Sequence, residues 1–595
     1  MKSENKKSVL DNYWNKTEFN EYIIETIRQK HGVSDFLARL LYAQNIDLEQ
    51  IEHFLTPSLK EYLPDPFHLI DMDKAVNRVI QAINQQEHIC ILGDYDVDGA
   101  TSAALLKNYF CELEIEPTIY IPERLTEGYG PSVSAMKKLK SANVNLIITV
   151  DCGTSAYEAL AEAKKQCIDV IVIDHHLSVE QLPNAVAIVN PNRLDETSTY
   201  NYLAAVGVSF LFLIALRSVL RKQQYFINKS EPSLIKYLDL VALGTVCDVM
   251  ALVGLNRAFV SKGLEVIAQQ QNIGIKALSY LSEAKFSSDC YYLGFVLGPR
   301  INAGGRIGKS YLGSKLLSTK CQIEAYNIAS ELESYNSERK LIEKIMLEEA
   351  VSIALEQTSN NIIVVAKNNW HPGVIGIIAS RLKDLFQKPT VVISLNNNIG
   401  HASCRSIKGI DIGSKIAEAK LQGLLITGGG HAMAAGFTIE RHLINDLKNF
   451  LNQKLALAIQ NLTSCNTKNY VIDLSLASLN INTVHEIQKL APFGNGNPEP
   501  IFKLTSIKLK YVNSLSNKYV HCTLSEWGNI NTVKTTKAIA FNPRAQLFDA
   551  LLNSYTEPVD LIGNIKVNYW HGREEVQFVI KDLITGINNN TRYNS

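Results

Sequence analysis

Four apolar runs in this sequence stop at an acid. ICIL (89–92) leads into GDYDVDGATS (93–102), which carries Asp94, Asp96 and Asp98. NLIITV (145–150) stops at Asp151, DVIVI (169–173) stops at Asp174 with His175 and His176 behind it, and LVALGTVC stops at Asp248. The first three runs alternate with helical patterns, which predicts βαβ units on a parallel sheet over residues 81–250. Ligands of an open parallel sheet sit beyond the carboxyl ends of its strands, so acids placed there are expected to meet in one pocket.

Three carboxylates in five residues repel one another unless cations neutralise them. Carboxylates with imidazole and without thiolate suit Mn²⁺ or Mg²⁺ better than structural zinc. Two such ions ~3.5–4 Å apart activate a water and stabilise a leaving oxygen, the chemistry of phosphoester hydrolysis. Two other readings fit the first motif locally. An EF-hand loop needs Glu at its twelfth position, where this chain has Leu105, and a helix before it, where this chain has a strand pattern. A haloacid-dehalogenase-type phosphatase takes Asp96-Val-Asp98-Gly as a strand-end nucleophile but leaves the downstream Asp-His-His without a use. Taken singly, Asp151 or Asp248 reads equally well as a cap or turn residue.

The 595 residues are enough for three or four domains, and 46% hydrophobic with 20% charged residues describes a globular chain with large cores. Lys plus Arg equal Asp plus Glu at 59 each, so any polyanion has to be held by a local basic patch. The first residues lack the apolar core of a secretory signal, and the longest apolar stretch, VSFLFLIAL, is about half of the ~20 residues a membrane span needs. Ten cysteines without a Cys-x-x-Cys pair suggest reduced thiols, so a cytoplasmic protein is expected.

The pattern predicts five segments: a helical segment over 1–80, the acid-bearing α/β domain over 81–250, a helical region over 251–358 ending in a long connector helix, a second α/β domain over 359–460, and a small β-barrel over 465–582. In the second α/β domain TGGGHAMAAG is expected to open a helix, so that the N–H groups of Gly429 and Gly430 and the imidazole of His431 face a phosphate. Arg300, Asn302 and Arg306 in GPRINAGGRIG, and Ser403 and Arg405 in HASCRS, are expected in glycine-rich loops free of acids, where arginine suits bidentate phosphate contact. His371 in NWHPGVIG is a further candidate contact. Asn336, Arg339 and Lys340 break the apolar face of the connector, and Phe493, Tyr511, Tyr519, Phe541, Tyr569 and Trp570 are candidate base-stacking rings of the barrel.

In this order, DYDVDG, VDCG, DHH and CDV resemble the DHH phosphoesterase superfamily. With INAGGRIG and GGGH, nearly the whole chain is similar to its branch of single-stranded-DNA-specific exonucleases. The resemblance implies an α/β fold with a parallel-sheet DHH domain, a DHH-associated α/β domain, a joining helix and a C-terminal oligonucleotide-binding (OB) barrel. It implies a 5′-to-3′ exonuclease that degrades single-stranded DNA to mononucleotides in recombination and repair. Asp96, Asp98, Asp151, His175 and Asp248 match the family's metal-binding positions for Mn²⁺ or Mg²⁺, and Asp94 and His176 match catalytic positions beside the metals. Arg300, Asn302, Arg306, His371, Ser403, Arg405, Gly429, Gly430 and His431 fall in stretches similar to the family's pocket for the 5′-terminal phosphate and adjacent backbone. A single-strand-binding protein and a helicase are the implied partners, with no membrane and a monomeric state. Two alternatives stay open: a DHH phosphodiesterase on short oligoribonucleotides or cyclic dinucleotides, and a non-catalytic DHH-like replication scaffold.

Overall fold

The computed structural model describes residues 6–585 except Leu125, 463–465, 516–517, 529–534, 554–556 and 571–572. The chain divides into two compact units, one of residues 58–459 with 494–496, the other of residues 1–57 with 460–493 and 497–595.

The chain starts in the second of these units. β1 (Tyr13–Lys16) precedes the helices Glu21–His31 and Asp35–Ala43. Both helices are capped from the sequence: Asn20 accepts the N–H groups of Tyr22 and Ile23, and Ser34 accepts that of Leu37. Ile24, Ile27, Leu37, Leu40 and Leu41 are buried at helical spacing.

The acid-bearing domain follows. β2 (Ile89–Gly93), β3 (Thr118–Tyr120), β4 (Leu146–Val150), β5 (Asp169–Ile173) and β6 (Ala187–Val189) form an all-parallel sheet in the order β3-β2-β4-β5-β6. β2 and β4 are buried at every position, which is why they read as unbroken apolar runs. One face is covered by the helices Val97–Glu112, Ala205–Lys222 and Leu238–Cys247, with Tyr109, Phe110, Phe212 and Leu240 in a shared core. The other face packs Met136, Leu139 and Leu160 on Val170 and Val172. The strand order reverses between β2 and β4, so the crevice for a ligand opens beyond their carboxyl ends. VSFLFLIAL lies within Ala205–Lys222, and among the described residues no helix is long and apolar enough to cross a membrane.

The connector helix Gln322–Leu355 has 34 residues, ~50 Å at 1.5 Å per residue. Its first half buries Ala325, Ile328 and Leu332 in the core of the parallel-sheet domain, and its second half buries Met346, Ala350 and Ala354 in that of the next domain. That domain is a mixed sheet of β7 (Ile363–Asn368), β8 (Thr390–Asn396), β9 (Ile399–Arg405), β10 (Thr427–His431) and β11 (Ala434–Glu440), ordered β10-β11-β9-β8-β7 with only β7 and β8 parallel. The TGGGH segment is therefore the edge strand of a hairpin, and the expected helix start is corrected. Glycine gives a helix little stability, and Gly429, Gly430 and His431 find partners directly opposite in Gly436, Ala435 and Ala434.

The C-terminal strands are β12 (Thr467–Tyr470), β13 (Asp473–Leu474), β14 (Phe502–Leu515), β15 (Tyr519–Glu526), β16 (Thr536–Phe541), β17 (Val559–Trp570) and β18 (Arg573–Thr585). β14 pairs with β15, β15 with β16, β16 with β18, β18 with β17, and β17 returns to β14. The fold class is thus the one the sequence suggests, with an OB-type strand set at the end.

The N-terminal residues do not form one helical segment to residue 80. β1 pairs in parallel with β12, Tyr13 opposite Thr467, and Ile24, Ile27 and Leu40 share a core with Phe502, Leu561 and Phe578. Asp582, with no exposed surface, accepts Ser8 Oγ at 2.6 Å, Asn12 Nδ2 at 2.8 Å and Trp14 Nε1 at 2.8 Å. Each charge-assisted bond of this kind contributes about 1.5–3 kcal/mol.

Candidate metal centre and phosphate pocket

β2 delivers Asp94 into a buried position, and Asp96 caps the Val97–Glu112 helix by accepting the Gly99 N–H at 3.1 Å. Gly99 admits no side chain, because a Cβ there would lie 2.4 Å from the Asp94 carbonyl oxygen. Asp98, in the first turn, accepts the N–H groups of Ala205 at 2.7 Å and Val206 at 2.9 Å, the start of the Ala205–Lys222 helix whose dipole favours an anion. Asp151 follows β4 with φ 60°, and Val249, directly after Asp248, has φ 58°. A β-branched residue in that region is strained, as backbones at functional sites often are. His175, after β5, joins these acids: its Nε2 is 3.3 Å from Asp151 Oδ1, 3.5 Å from Asp248 Oδ2 and 3.8 Å from Asp98 Oδ2.

Such crowding is costly without cations. Burial, and then the neighbouring acids, push Asp94 and Asp151 well up, Asp98 to about 7 and Asp248 to about 9. Burial, and then the charge of His176, bring His175 down to about 4, which leaves its imidazole neutral. Asp94 Oδ1 is buried with no hydrogen-bond partner. Among the described residues, three groups have donor atoms within 4.8 Å of one another: Asp94, Asp96 and Asp151; Asp98, His175 and Asp248; and Asp151, His175 and His176. Oxygen and imidazole donors without thiolate fit a hard divalent cation. Cys152 and Cys247 lie close by, but burial pushes both thiols up.

Asp174 stands behind this set. It accepts the N–H groups of Thr154 at 3.0 Å, His175 at 2.8 Å and His176 at 3.2 Å, and His176 Nδ1 at 2.7 Å. Burial opposes its charge, but the His176 bond and charge hold its carboxyl far below the usual range. His176 in turn is disfavoured as a cation by burial, yet Asp174 raises it to about 9. It therefore holds its proton more tightly than a free imidazole, and it lies half-exposed at the rim. Tyr129 donates to the Asp151 carbonyl oxygen at 3.1 Å and lies 3.3 Å from His176 Nε2. Sequence reasoning passed over Tyr129; its signal was a ring between two glycines in EGYGPS.

A second cluster forms between the two α/β domains. Register places Arg405, Ala434 and His431 in one row across β9, β11 and β10, and Ser403, Gly436 and Gly429 in another. Arg405 Nη1 donates to Ser403 Oγ at 3.1 Å, and a Cβ on Gly376 would lie 3.2 Å from that oxygen and 3.3 Å from Arg405 Nη2. His371 Nδ1 accepts the Gly373 N–H at 3.1 Å, and the Gly373 carbonyl accepts Arg306 Nη1 at 3.1 Å. Burial, and then the like charges of Arg124 and Arg339, bring Arg306 down to about 10. Arg405 and His371 are likewise lowered first by burial, with Arg124 adding to it. Arg124, whose guanidinium lies 4.8 Å from the centre of the Tyr95 ring, is thus the common neighbour of three expected contacts. It went unread because the loop around it has no periodicity.

Two expectations are corrected. Arg300, Asn302 and Arg306 lie on the helix Gly298–Ile307, not in a loop. Arg300 is not free of acids either: it pairs with Glu333 of the connector and donates to the Val296 carbonyl at 2.7 Å. On the connector, Asn336 and Arg339 are buried and bonded to each other at 3.1 Å, whereas Lys340 is exposed. Of the barrel rings, Tyr511, Tyr519 and Phe541 are exposed, Phe493 packs on the core, and the side chains of Tyr569 and Trp570 lie outside the described ones.

A parallel sheet with acids at its switch point, followed by a second α/β domain, fits a DHH phosphoesterase. The model of the DHH family N-terminal domain matches residues 88–245, the DHHA1 domain 359–457 and the RecJ OB domain 472–582. The single-stranded-DNA-specific exonuclease RecJ of Bacillus subtilis is 31% identical over 94% of this chain and 69% of its own, and that of Haemophilus influenzae 32% over 92% and 96%. The crystal structure of RecJ in complex with Mn²⁺ from Thermus thermophilus superposes with a TM-score of 0.80 at 26% identity, covering 97% of this chain and 80% of that one. The Mg²⁺ complex gives 0.73 at 25%, covering 97% and 79%. This chain belongs to the RecJ family.

Proposed function

We propose that this protein degrades single-stranded DNA from the 5′ end to mononucleotides, using two Mn²⁺ or Mg²⁺ ions, in recombination and repair. The observation that carries the reading is the meeting of Asp94, Asp96, Asp98, Asp151, His175 and Asp248 at the β2–β4 crevice, on the same unit as the Arg306–Arg405 cluster. Asp94, Asp96 and Asp151 form one donor set, and Asp98, His175 and Asp248 form a second that shares no residue with it, which supports two ions. Divalent cations held there supply a polarised phosphate and an activated water.

The residues of the chain do the rest. The Ala205–Lys222 helix start fixes both oxygens of Asp98, and Asp174 fixes the ring of His176 through Nδ1, which leaves Nε2 beside the Tyr129 hydroxyl. As an imidazolium, His176 donates to a phosphate oxygen at the scissile bond. Ser403, Arg405, Arg306 and Arg124, with His371 and the Gly429–His431 strand, hold the terminal phosphate and so set the 5′ polarity. Exposed Tyr511, Tyr519 and Phe541 suit the bases of a longer strand. A single-strand-binding protein and a helicase as suppliers of substrate, a monomeric state and a cytoplasmic location complete the proposal.

The test is digestion with Mn²⁺ of single strands labelled at either end, DNA and RNA in parallel. The 5′ label should leave at once as a mononucleotide while the 3′ label stays on a shortening ladder; release of the 3′ label first, or equal cleavage of RNA, overturns the reading. Arg405→Ala should cut the preference for a 5′-phosphate over a 5′-hydroxyl by about ten- to a hundredfold, the range of a charged hydrogen bond. Competition between the two end types measures it, and an unchanged ratio removes Arg405 from the pocket.

A further inference from the structure

Directly before the Gly298–Ile307 helix the chain makes a π-helix, Tyr292–Leu297, a rare conformation that is frequent at functional sites. Tyr292, Leu293, Val296 and Leu297 are buried and anchor it. Tyr291 and Phe295 are not needed for that anchor: they are 65% and 70% exposed, with ring centres 5.0 Å apart and planes within 23°. Two stacked rings standing in water are a ready surface for a third flat group.

Their place in the fold says which group. The Leu293 carbonyl accepts the Cys247 thiol at 3.4 Å, and a Cβ on Gly294 would lie 3.7 Å from Val246. The π-helix therefore rides on the last turn of the helix that ends at Asp248. A single strand whose scissile phosphate lies at that acid carries bases with both faces open, the partner that exposed aromatics accept without sequence preference.

We infer that the Tyr291–Phe295 pair is a base-stacking platform that steadies the strand beside the metal centre. The inference rests on the exonuclease reading, and it makes these two rings positioning residues for the substrate. Phe295→Ala in the full chain should raise KM on 5′-phosphorylated single strands about tenfold or more with Mn²⁺, Tyr291→Ala should act in the same direction, and Phe295→Trp should restore the affinity. Walking one abasic site along the strand should reveal a position where the missing base weakens binding to the wild type but not to Phe295→Ala.

An unchanged KM in both alanine variants, or an abasic penalty that persists in Phe295→Ala, overturns the platform. So does a KM rise that tracks a lowered melting temperature and that Phe295→Trp does not reverse, or a change only in oligomeric size. The two readings fail separately: a wild type inert on single strands removes the exonuclease, whereas an active wild type matched by Phe295→Ala removes the platform alone.

Discussion

His175→Ala should lower hydrolysis by at least about a thousandfold while much of the single-strand affinity remains. The imidazole is the junction of the centre, within 3.3–3.8 Å of Asp151, Asp248 and Asp98. It is the one nitrogen donor of the Asp98, His175 and Asp248 set, and it also lies within reach of Asp151 of the other set, so its loss strips one set and unsettles its neighbour. Cation stabilisation of a phosphoryl transition state is worth several kcal/mol, and each 1.36 kcal/mol is tenfold in rate. Binding survives because the Arg306–Arg405 cluster stands on other elements. Asp98→Ala should be as inactive but is harder to interpret. It strands two buried N–H groups of the Ala205–Lys222 helix, a loss of ~1–3 kcal/mol each. Single-turnover rates, strand affinity and a thermal melt of both variants check this, and a His175→Ala rate within about tenfold of wild type would remove the imidazole from the centre.

Removing the divalent ions should make the metal-bearing unit less stable, and more so in alkali. Asp98 rises to about 7 and Asp248 to about 9 from an ordinary 3.8, so the folded, metal-free state holds protons that the unfolded chain has released. Stability then falls as pH climbs from ~4 towards 9, because stability declines wherever the unfolded state binds fewer protons. Cations reverse this: ligands bind deprotonated, so affinity grows across the same window. At a hundredfold excess over Kd, Mn²⁺ adds about 2.7 kcal/mol. The melting-temperature gain from Mn²⁺ should thus be clearly larger at pH 8 than at pH 6 in chelator-treated protein, and equal gains would mean the acids are not the ligands.

What could be read from the sequence was local. An apolar strand that ends in acids announces both itself and its site, and the step of three and four residues announces the connector. What could not be read depends on partners far along the chain. Arg300 and Glu333 are 33 residues apart, so a guanidinium that looks free among glycines is spent on a helix. The TGGGH segment has almost no side chains to declare a period, and only β11 makes it a strand. Arg124 and Tyr129 sit in a loop whose meaning comes from what surrounds it. Zero net charge proved uninformative because it says nothing about where charges gather: acids crowd one crevice, while Arg124, Arg306 and Arg405 lie near one another.

The pairing of β1 with β12 also sets an order of events during synthesis. Residues 1–57 are made well before the rest of their unit, which begins at residue 460. At ~5–20 residues per second the ~400 residues between take ~20–80 s. Through that interval Ile24, Ile27, Leu37 and Leu40 lack the C-terminal side of their core, and β1 lacks β12. Nearly all of the metal-bearing unit, from residue 58 to residue 459, can fold meanwhile. Residues 1–57 are thus made long before the partners they fold with, a natural client for a holding chaperone.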